Sequence, residues 1–400
     1  MYVMAGAPSS GSNGPMTDTA LPAVTDRTAI RTCLMRYGRA IDQGDEALLR
    51  SSFHPHAVIE MGPVGTEITV DGFAEAMVAA SGTLTLGRHV ITNHRVDRSG
   101  DVAWSEAYYL ATMLPLRAAE VPWTATFMAG RYADRFERRD GQWRIAHRQM
   151  IAEWHATAPS LEPGDAPAAA ACTSNSLDCF GDQHANTESY SLDVRASRDG
   201  LTMAGGRISA DWVRGPSAWV LEERRSVADW AVQLTGEITA QTPAVTGQTT
   251  RRDEQGHTHD VAEVEERVLA RARALDRLDT QLLDEVHAYP GAGRSVLERA
   301  RDAAATQHHV LDGTTDVAGD YARHEAPVLV MRSAGPGATT LEGARELVEL
   351  ERTNDVWRIT SATSTPLWRA DLDDAGMAAF LHARGARARR DRDDPTYARG

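Results

Sequence analysis

The sequence predicts an α+β fold in which an antiparallel sheet wraps around a few helices, and it predicts that fold twice. Three observations carry this. The first half opens with amphipathic helix. A run of long β segments then follows without further helix, which favours a sheet closing on its own helices over a parallel α/β arrangement. Short matching stretches also recur in the same order in both halves.

The first half reads element by element. Residues 27–44 carry Ile30, Leu34, Tyr37 and Ile41 on one helical stripe. A short helix over 46–53 follows the Gly44-Asp45 break. Strands are expected at 57–61 and 67–70, and Asp71 is placed to cap a helix over 72–80. Four long strands come next, at 86–96, 102–114, 123–138 and 142–154. The last two are joined by the turn Arg139-Asp140-Gly141.

Residues 157–186 are rich in Pro, Ala, Ser and Gly and read as a linker. Strand character returns at 189–196, 206–213, 218–226 and 230–239. A strong amphipathic helix is expected over 261–287 and another over 296–307. Strands follow at 309–311, 317–331, 344–354 and 356–366. The opening residues 1–25 read as a disordered tail or cloning remnant, with Met16 a plausible native start. Residues 373–400 read as a short helix and an Arg/Asp-rich disordered tail. This gives a first domain at 26–156 and a divergent second one at 187–372, with extra strands on its N-terminal side.

The repeat is visible in three places. Residues 36–45 lie over 270–279, 87–93 over 307–313, and 141–145 (GlyGlnTrpArgIle) over 355–359 (AspValTrpArgIle). The second copy is shorter between its helix and its first long strand. It lacks material matching 57–70, and the strands of 187–240 are candidates to fill that gap.

Composition narrows the chemistry. All 42 basic residues are Arg, which excludes a Schiff-base or P-loop lysine. With 56 acidic residues the net charge is −14, an unfavourable field for nucleic acid. No segment is long and apolar enough to span a bilayer. The three cysteines (Cys33, Cys172 and Cys179) form neither a disulfide framework nor a metal cluster; Cys172 and Cys179 can bridge within a loop, and the simpler reading is free thiols of a cytoplasmic protein. His54 and His56 have only Glu60 nearby, too few ligands for a metal. No cofactor or metal is expected.

The chemical candidates gather in the first copy. Asp42 ends the first helix, and His89 sits on a strand whose alternating face carries Ile91 and Asn93. A carboxylate against an imidazole is a general-base unit, because the anion fixes the tautomer and stabilises the imidazolium. Tyr37 and Arg148 can hydrogen-bond an oxygen that gains charge. Arg148 sits between Ala146 and Met150 on an apolar strand face, and an Arg there needs a partner. Tyr37 and Asp42 lie about 140° apart on an ideal helix, so they share a pocket only where the helix unwinds.

At these residues the first domain resembles the SnoaL-like members of the nuclear transport factor 2-like superfamily. The resemblance rests on Tyr37, Asp42 and Asp45, on SerPheHisProHisAla (52–57), on His89 and Asn93, and on TrpArgIle-x-x-Arg (143–148). It implies a cone, a curved antiparallel sheet around helices with a deep apolar pocket. It also implies catalysis by Asp42 and His89 with Tyr37 and Arg148. Asn93, Tyr109, Phe127 and Met150 are the substrate-binding candidates. In that family Tyr at the first-helix position goes with dehydratases, so the implied enzyme is a cofactor-independent lyase or cyclase. Its substrate would be a hydrophobic cyclic compound of polyketide, steroid or terpenoid type. A non-catalytic binding or scaffold protein and an epoxide hydrolase-like enzyme are the alternatives. In the second copy Arg271 replaces Tyr37 and Ala362 replaces Arg148, while Asp276 and His309 remain. That copy is expected to be degenerate and to buttress the first. Family enzymes assemble through outer sheet faces, so a homo-oligomer is also expected.

Overall fold

A computed structural model describes residues 3–4, 20–61, 66–116, 123–160, 172–180, 183–197, 200–216, 219–238, 254–303, 305–333 and 339–372. The expected C-terminal helix and tail at 373–400 lie outside the described residues.

The chain begins with β1 (Val3–Met4) and then α1 (Ala20–Gln43), which starts inside the expected tail and carries the apolar stripe. Gly44, at φ 64°, ends α1. Asp45 then caps α2 (Glu46–Ser51) by accepting the Leu48 N–H. β2 (Phe53–Glu60) and β3 (Glu67–Thr69) lead to α3 (Val70–Ser81), capped by Thr69 rather than Asp71. Four long strands follow: β4 (Leu84–Ser99), β5 (Val102–Pro115), β6 (Thr124–Arg139) and β7 (Gln142–Pro159). The turn between β6 and β7 holds Asp140 and Gly141 at φ 51° and 75°, as a primed hairpin turn requires. The six-stranded sheet has the order β3-β2-β7-β6-β5-β4, with β2 parallel to β7. Its concave face closes on α1 and α3 through Ile30, Leu34, Tyr37, Phe73, Tyr132 and Phe136.

The expected linker contains a strand, β8 (Cys172–Phe180), and β7 itself runs to Pro159. β9 (His184–Ser197), β10 (Gly200–Arg214) and β11 (Trp219–Ile238) complete an antiparallel meander. β11 is one strand where the sequence suggested two, because a bulge lets it run on. Then come α4 (Glu254–Arg277), α5 (Thr280–Val286) and α6 (Arg294–Arg301). The single helix expected over 261–287 breaks at Leu278, whose φ is 52°. Asp279 caps α5 through Leu282 as Asp45 caps α2.

β12 (Ala305–Val310), β13 (Thr314–Ala318), β14 (Tyr321–Ser333), β15 (Thr339–Thr353) and β16 (Val356–Leu372) finish the second copy. Its sheet is ten-stranded, with the main path β12-β14-β15-β16-β11-β10-β9-β8. The extra strands do not stand in for β2. Among the described residues that place keeps a single parallel bridge, His287 to Ile359, matching Phe53 to Ile145 in the first copy. The meander joins instead at the far end of β16, where Thr235–Ile238 pair with Trp368–Asp371.

A large apolar cluster, matching the first cone's own core in buried residues, lies outside both cones. Outer-face residues of the first sheet (Leu110, Phe127, Trp154), the meander (Leu192, Met203, Leu234) and the second sheet (Leu329, Met331, Trp368) meet in it. Each such side chain contributes roughly 1.5–3 kcal/mol by leaving water, so this seam joins the first sheet, the meander and the second sheet. No described helix is long and apolar enough to cross a membrane.

Candidate active site

Asp42 occupies the last turn of α1, with its carboxylate fully buried. It accepts the His89 ring Nδ1 at 2.6 Å and the His89 main-chain N–H at 3.1 Å. One residue of β4 thus holds both oxygens. The pairing puts the Nδ1 proton towards Asp42 and leaves Nε2 as the basic nitrogen. The His89 side chain is 15% exposed. A third group also reaches Asp42: the hydroxyl of Tyr190 on β9, whose phenol is pushed up by burial and then by the Asp42 charge.

Behind His89 stands a column of rings. Tyr109 lies 6.4 Å from His89 between centroids and stacks on Tyr132 at 4.6 Å. Tyr132 meets Tyr37 edge-on at 5.4 Å, and Tyr37 packs against Phe53 and Phe73. Arg148 is buried among them, its guanidinium 3.8 Å from the Tyr37 ring and 4.1 Å from that of Tyr132. Its Nε and Nη2 donate to both oxygens of Asp134 on β6, at 2.7 and 2.5 Å. Burial would lower the Arg148 pKa, but the Asp134 carboxylate outweighs it and raises it. Burial raises the Tyr37 and Tyr109 phenols, so both stay neutral donors.

Tyr37 and Asp42 lie on one continuous helix and face different surroundings, Tyr37 the ring column and Asp42 the start of β4. Met150 packs on the same interior core as Tyr109. Two substrate-binding expectations are corrected. Phe127 points to the outer face and joins the seam, because alternation along β6 gives the interior to Met128. Asn93 has φ 51° in a bulge where pairing jumps from Thr92 to Arg95, so it leaves the His89 face. Its amide donates to the His308 carbonyl at 2.6 Å and accepts the Val310 N–H at 2.8 Å. Asn93 therefore ties the two copies together.

The second copy repeats the pair with a different histidine. Asp276 accepts His308 Nδ1 at 2.6 Å and the His308 N–H at 3.0 Å. It also accepts the hydroxyls of Tyr108 (3.0 Å) and Thr306 (3.1 Å). Burial works against the Asp276 charge, but His308 outweighs it and holds the carboxyl below its usual range. His309, the expected partner, faces the other way to Thr92 Oγ1 at 2.9 Å, and burial holds it down at about 4. The interior is rebuilt as well. Across β15 and β16, Val348 and Ala362 stand where Asp134 and Arg148 pair across β6 and β7. The buried ion pair has moved to Arg271 and Glu346, at 2.6 Å.

Asp134, Tyr132, Tyr190, Tyr108 and His308 were missed in the sequence. Only Asp134 had a signal there, since an Arg on an apolar face demands an acid across the strand. Tyr108 and Tyr190 bond to residues far along the chain, and Tyr132 joins Tyr37 only through the folded sheet, which local spacing does not reveal.

The family model described as a SnoaL-like domain matches residues 22–149 and 277–363, and the chain belongs to that family. Among curated proteins nothing matches. A solved protein from Kribbella flavida is 23% identical, covering 33% of this chain and 94% of its own, with TM-score 0.31. A scytalone dehydratase candidate from Novosphingobium aromaticivorans is 19% identical over 35% of this chain and 90% of its own, with TM-score 0.31. A hexachlorocyclohexane dehydrochlorinase is 19% identical over 37% and 98%, with TM-score 0.32.

Proposed function

We propose that the first copy is a cofactor-independent acid–base lyase acting on a hydrophobic cyclic carbonyl compound. The observation that carries this reading is the His89–Asp42 pair at 2.6 Å, with its imidazole at the edge of an aromatic interior. His89 Nε2 takes the proton from the carbon next to the carbonyl. The C–H electron pair forms the new double bond, and the hydroxyl on the neighbouring carbon departs as water with the proton returned by the imidazolium. Asp42 stabilises that imidazolium.

The ring column suggests a change to the oxyanion assignment. Arg148 is engaged by Asp134 and by two rings, which favours a role in setting the Tyr37 and Tyr132 wall. Tyr109 is the neutral donor nearest His89 in the column. Its hydroxyl tucks against Gly130, where a Cβ would lie 2.8 Å from that oxygen and 2.0 Å from the Ile151 carbonyl. Asp42 is shared between His89 and Tyr190, and Arg148 takes Asp134, a division that disfavours an epoxide hydrolase-like Asp–Arg–Asp set.

The test needs no known substrate. Cyclic ketones are incubated with the protein in deuterated water and exchange at the α-carbon is followed. Exchange by the wild type, lowered about 10²–10⁴-fold in His89→Ala, supports the lyase. A binding-only protein is the second reading, favoured by a cleft of about 660 Å³ between α1 and α4. It predicts exchange that is absent or indifferent to His89.

A further inference from the structure

The meander β8–β11 repeats the cone sheet strand for strand. In β4–β5 the pairing jumps from Thr92 opposite Tyr108 to Arg95 opposite Glu106. In β8–β9 it jumps from Ser174 opposite Tyr190 to Leu177 opposite Glu188. Each jump skips an Asn and one more residue. The next pairs agree as closely, with Tyr108 opposite Arg131 and Tyr190 opposite Arg207. β6–β7 bulges after Ala129 and again after Arg135. β10–β11 bulges after Gly205 and Asp211, and β15–β16 after Gly343 and Glu349, at the same interval each time. The residue squeezed out at the first bulge is Glu153, Asp229 or Leu367. It precedes Trp154, Trp230 or Trp368, and in each case a second Trp stands at the same distance upstream: Trp143, Trp219 or Trp357. Bulges are specific local insertions, so the same two bulges at the same interval in three strand pairs mark common design.

The contacts repeat too. The second copy's helix α4 docks on the outer face of the first sheet. There Tyr108 bonds Asp276, Glu106 takes Arg273 at 3.1 Å, and the bulge acid Glu153 takes Arg131. The first copy's α1 docks in the same way on the meander. Tyr190 bonds Asp42, Glu188 takes Arg39 at 3.6 Å, and the bulge acid Asp229 takes Arg207 at 3.1 Å. Arg39 and Arg273 each stand three residues before their Asp. Asp229 also takes Arg88, the neighbour of His89, at 2.9 Å.

We propose that residues 172–238 are a third copy of the same domain, reduced to its sheet, and that this sheet serves the first copy as a neighbouring subunit would, with Tyr190 positioning Asp42. Residues 161–171 are too few to hold the helices that precede β4 in the first copy, so the third copy brings no Asp–His pair of its own. The third docking face accordingly has no pair to receive. In the second sheet the places of Tyr108 and Glu153 fall to Pro327 and Leu367, neither able to bond a carboxylate or pair with an Arg side chain. All three outer faces meet in the single apolar seam. The chain is thus a ring of three outer faces closed on itself, two of them on the one ten-stranded sheet, and it needs no second chain.

The positioning role rests on the lyase reading; the repeat does not. The experiment therefore reads the hydrogen bond and not turnover. Proton NMR of the full chain, labelled with ¹⁵N-histidine, resolves the low-field Nδ1 protons of His89 and His308, assigned by His89→Gln and His308→Gln. Tyr190→Phe is expected to shift or broaden the His89 signal and leave that of His308 in place, and Tyr108→Phe to do the reverse. A Tyr190→Phe spectrum with the His89 signal unmoved would overturn the assignment. Sedimentation of the wild type is expected to give the monomer mass; a stable dimer or trimer would overturn the closed ring.

Discussion

The two complete copies hold the same Asp–His pair in the same geometry and surround it differently. In both, a buried carboxylate at a helix end takes a ring Nδ1 at 2.6 Å and the main-chain N–H of the same residue. Behind His89 stand Tyr109, Tyr132, Tyr37 and a caged Arg148. In the second copy the register of these last three places puts Glu346, Arg271 and Ala362 there instead. The pair alone therefore does not define a site; what lies behind it decides what it can act on. The sharpest test sets the two histidines against each other. His89→Ala should lower α-carbon exchange by about 10²–10⁴-fold, the usual scale for a lost general base, and His308→Ala should leave it within a few-fold. Equal losses would mean that both copies turn over.

The buried ion pairs allow the comparison to be broken by transplant. Removing Asp134 leaves the Arg148 guanidinium buried without its acid, which should cost about 3–5 kcal/mol. The double variant Asp134→Val with Arg148→Ala reproduces what the second copy carries at Val348 and Ala362. It should be more stable than Asp134→Ala alone, because no charge is then stranded. Urea unfolding measures both. A double variant no more stable than the single one would show that the rings need the guanidinium between them.

Acid should separate the copies next. Burial first, then Arg271, holds His287 at about 4; burial holds His309 and His324 at about 4 as well. The unfolded chain binds protons at these residues near pH 6.5, and the folded chain does not until about pH 4. Stability is therefore full above pH 6.5 and declines as pH falls from there to about 4, by on the order of 1–3 kcal/mol for each residue. In the first copy His94 is held at about 3 by burial and the nearby Arg31 and Arg27. Amide exchange at pH 5 should accelerate more in α4 and β14 than in α1 and β5. Uniform acceleration would show that the seam makes the copies open as one unit.

Much of this was legible in the sequence and some was not, for definite reasons. The apolar stripe of α1 and the long strands follow from local periodicity, and Asp42 with His89 follows from their chemistry together with the family resemblance. His309 was preferred to His308 because aligning His-Val with His-Val is the obvious register; one residue of slip turns a strand residue to the opposite face. Phe127 has the composition of a pocket residue, and only the packing of three sheets shows that it faces outwards. The meander resisted reading because its repeat lies in bulge positions and one Trp interval, not in helices.

Asn93 gives the smallest effect and settles which side of the sheet it serves. Its side chain makes two bonds to the β12 backbone, and its φ of 51° suits Asn or Gly. Asn93→Gly keeps the backbone conformation and removes both bonds. Each is worth about 0.5–1.5 kcal/mol, so the variant should lose about 1–3 kcal/mol in urea unfolding while α-carbon exchange stays at the wild-type rate. An intact stability with exchange lowered tenfold would return Asn93 to the substrate and detach it from the seam. The expected result, stability lost and chemistry kept, would instead show that the bulge after Thr92 joins two copies of one cone.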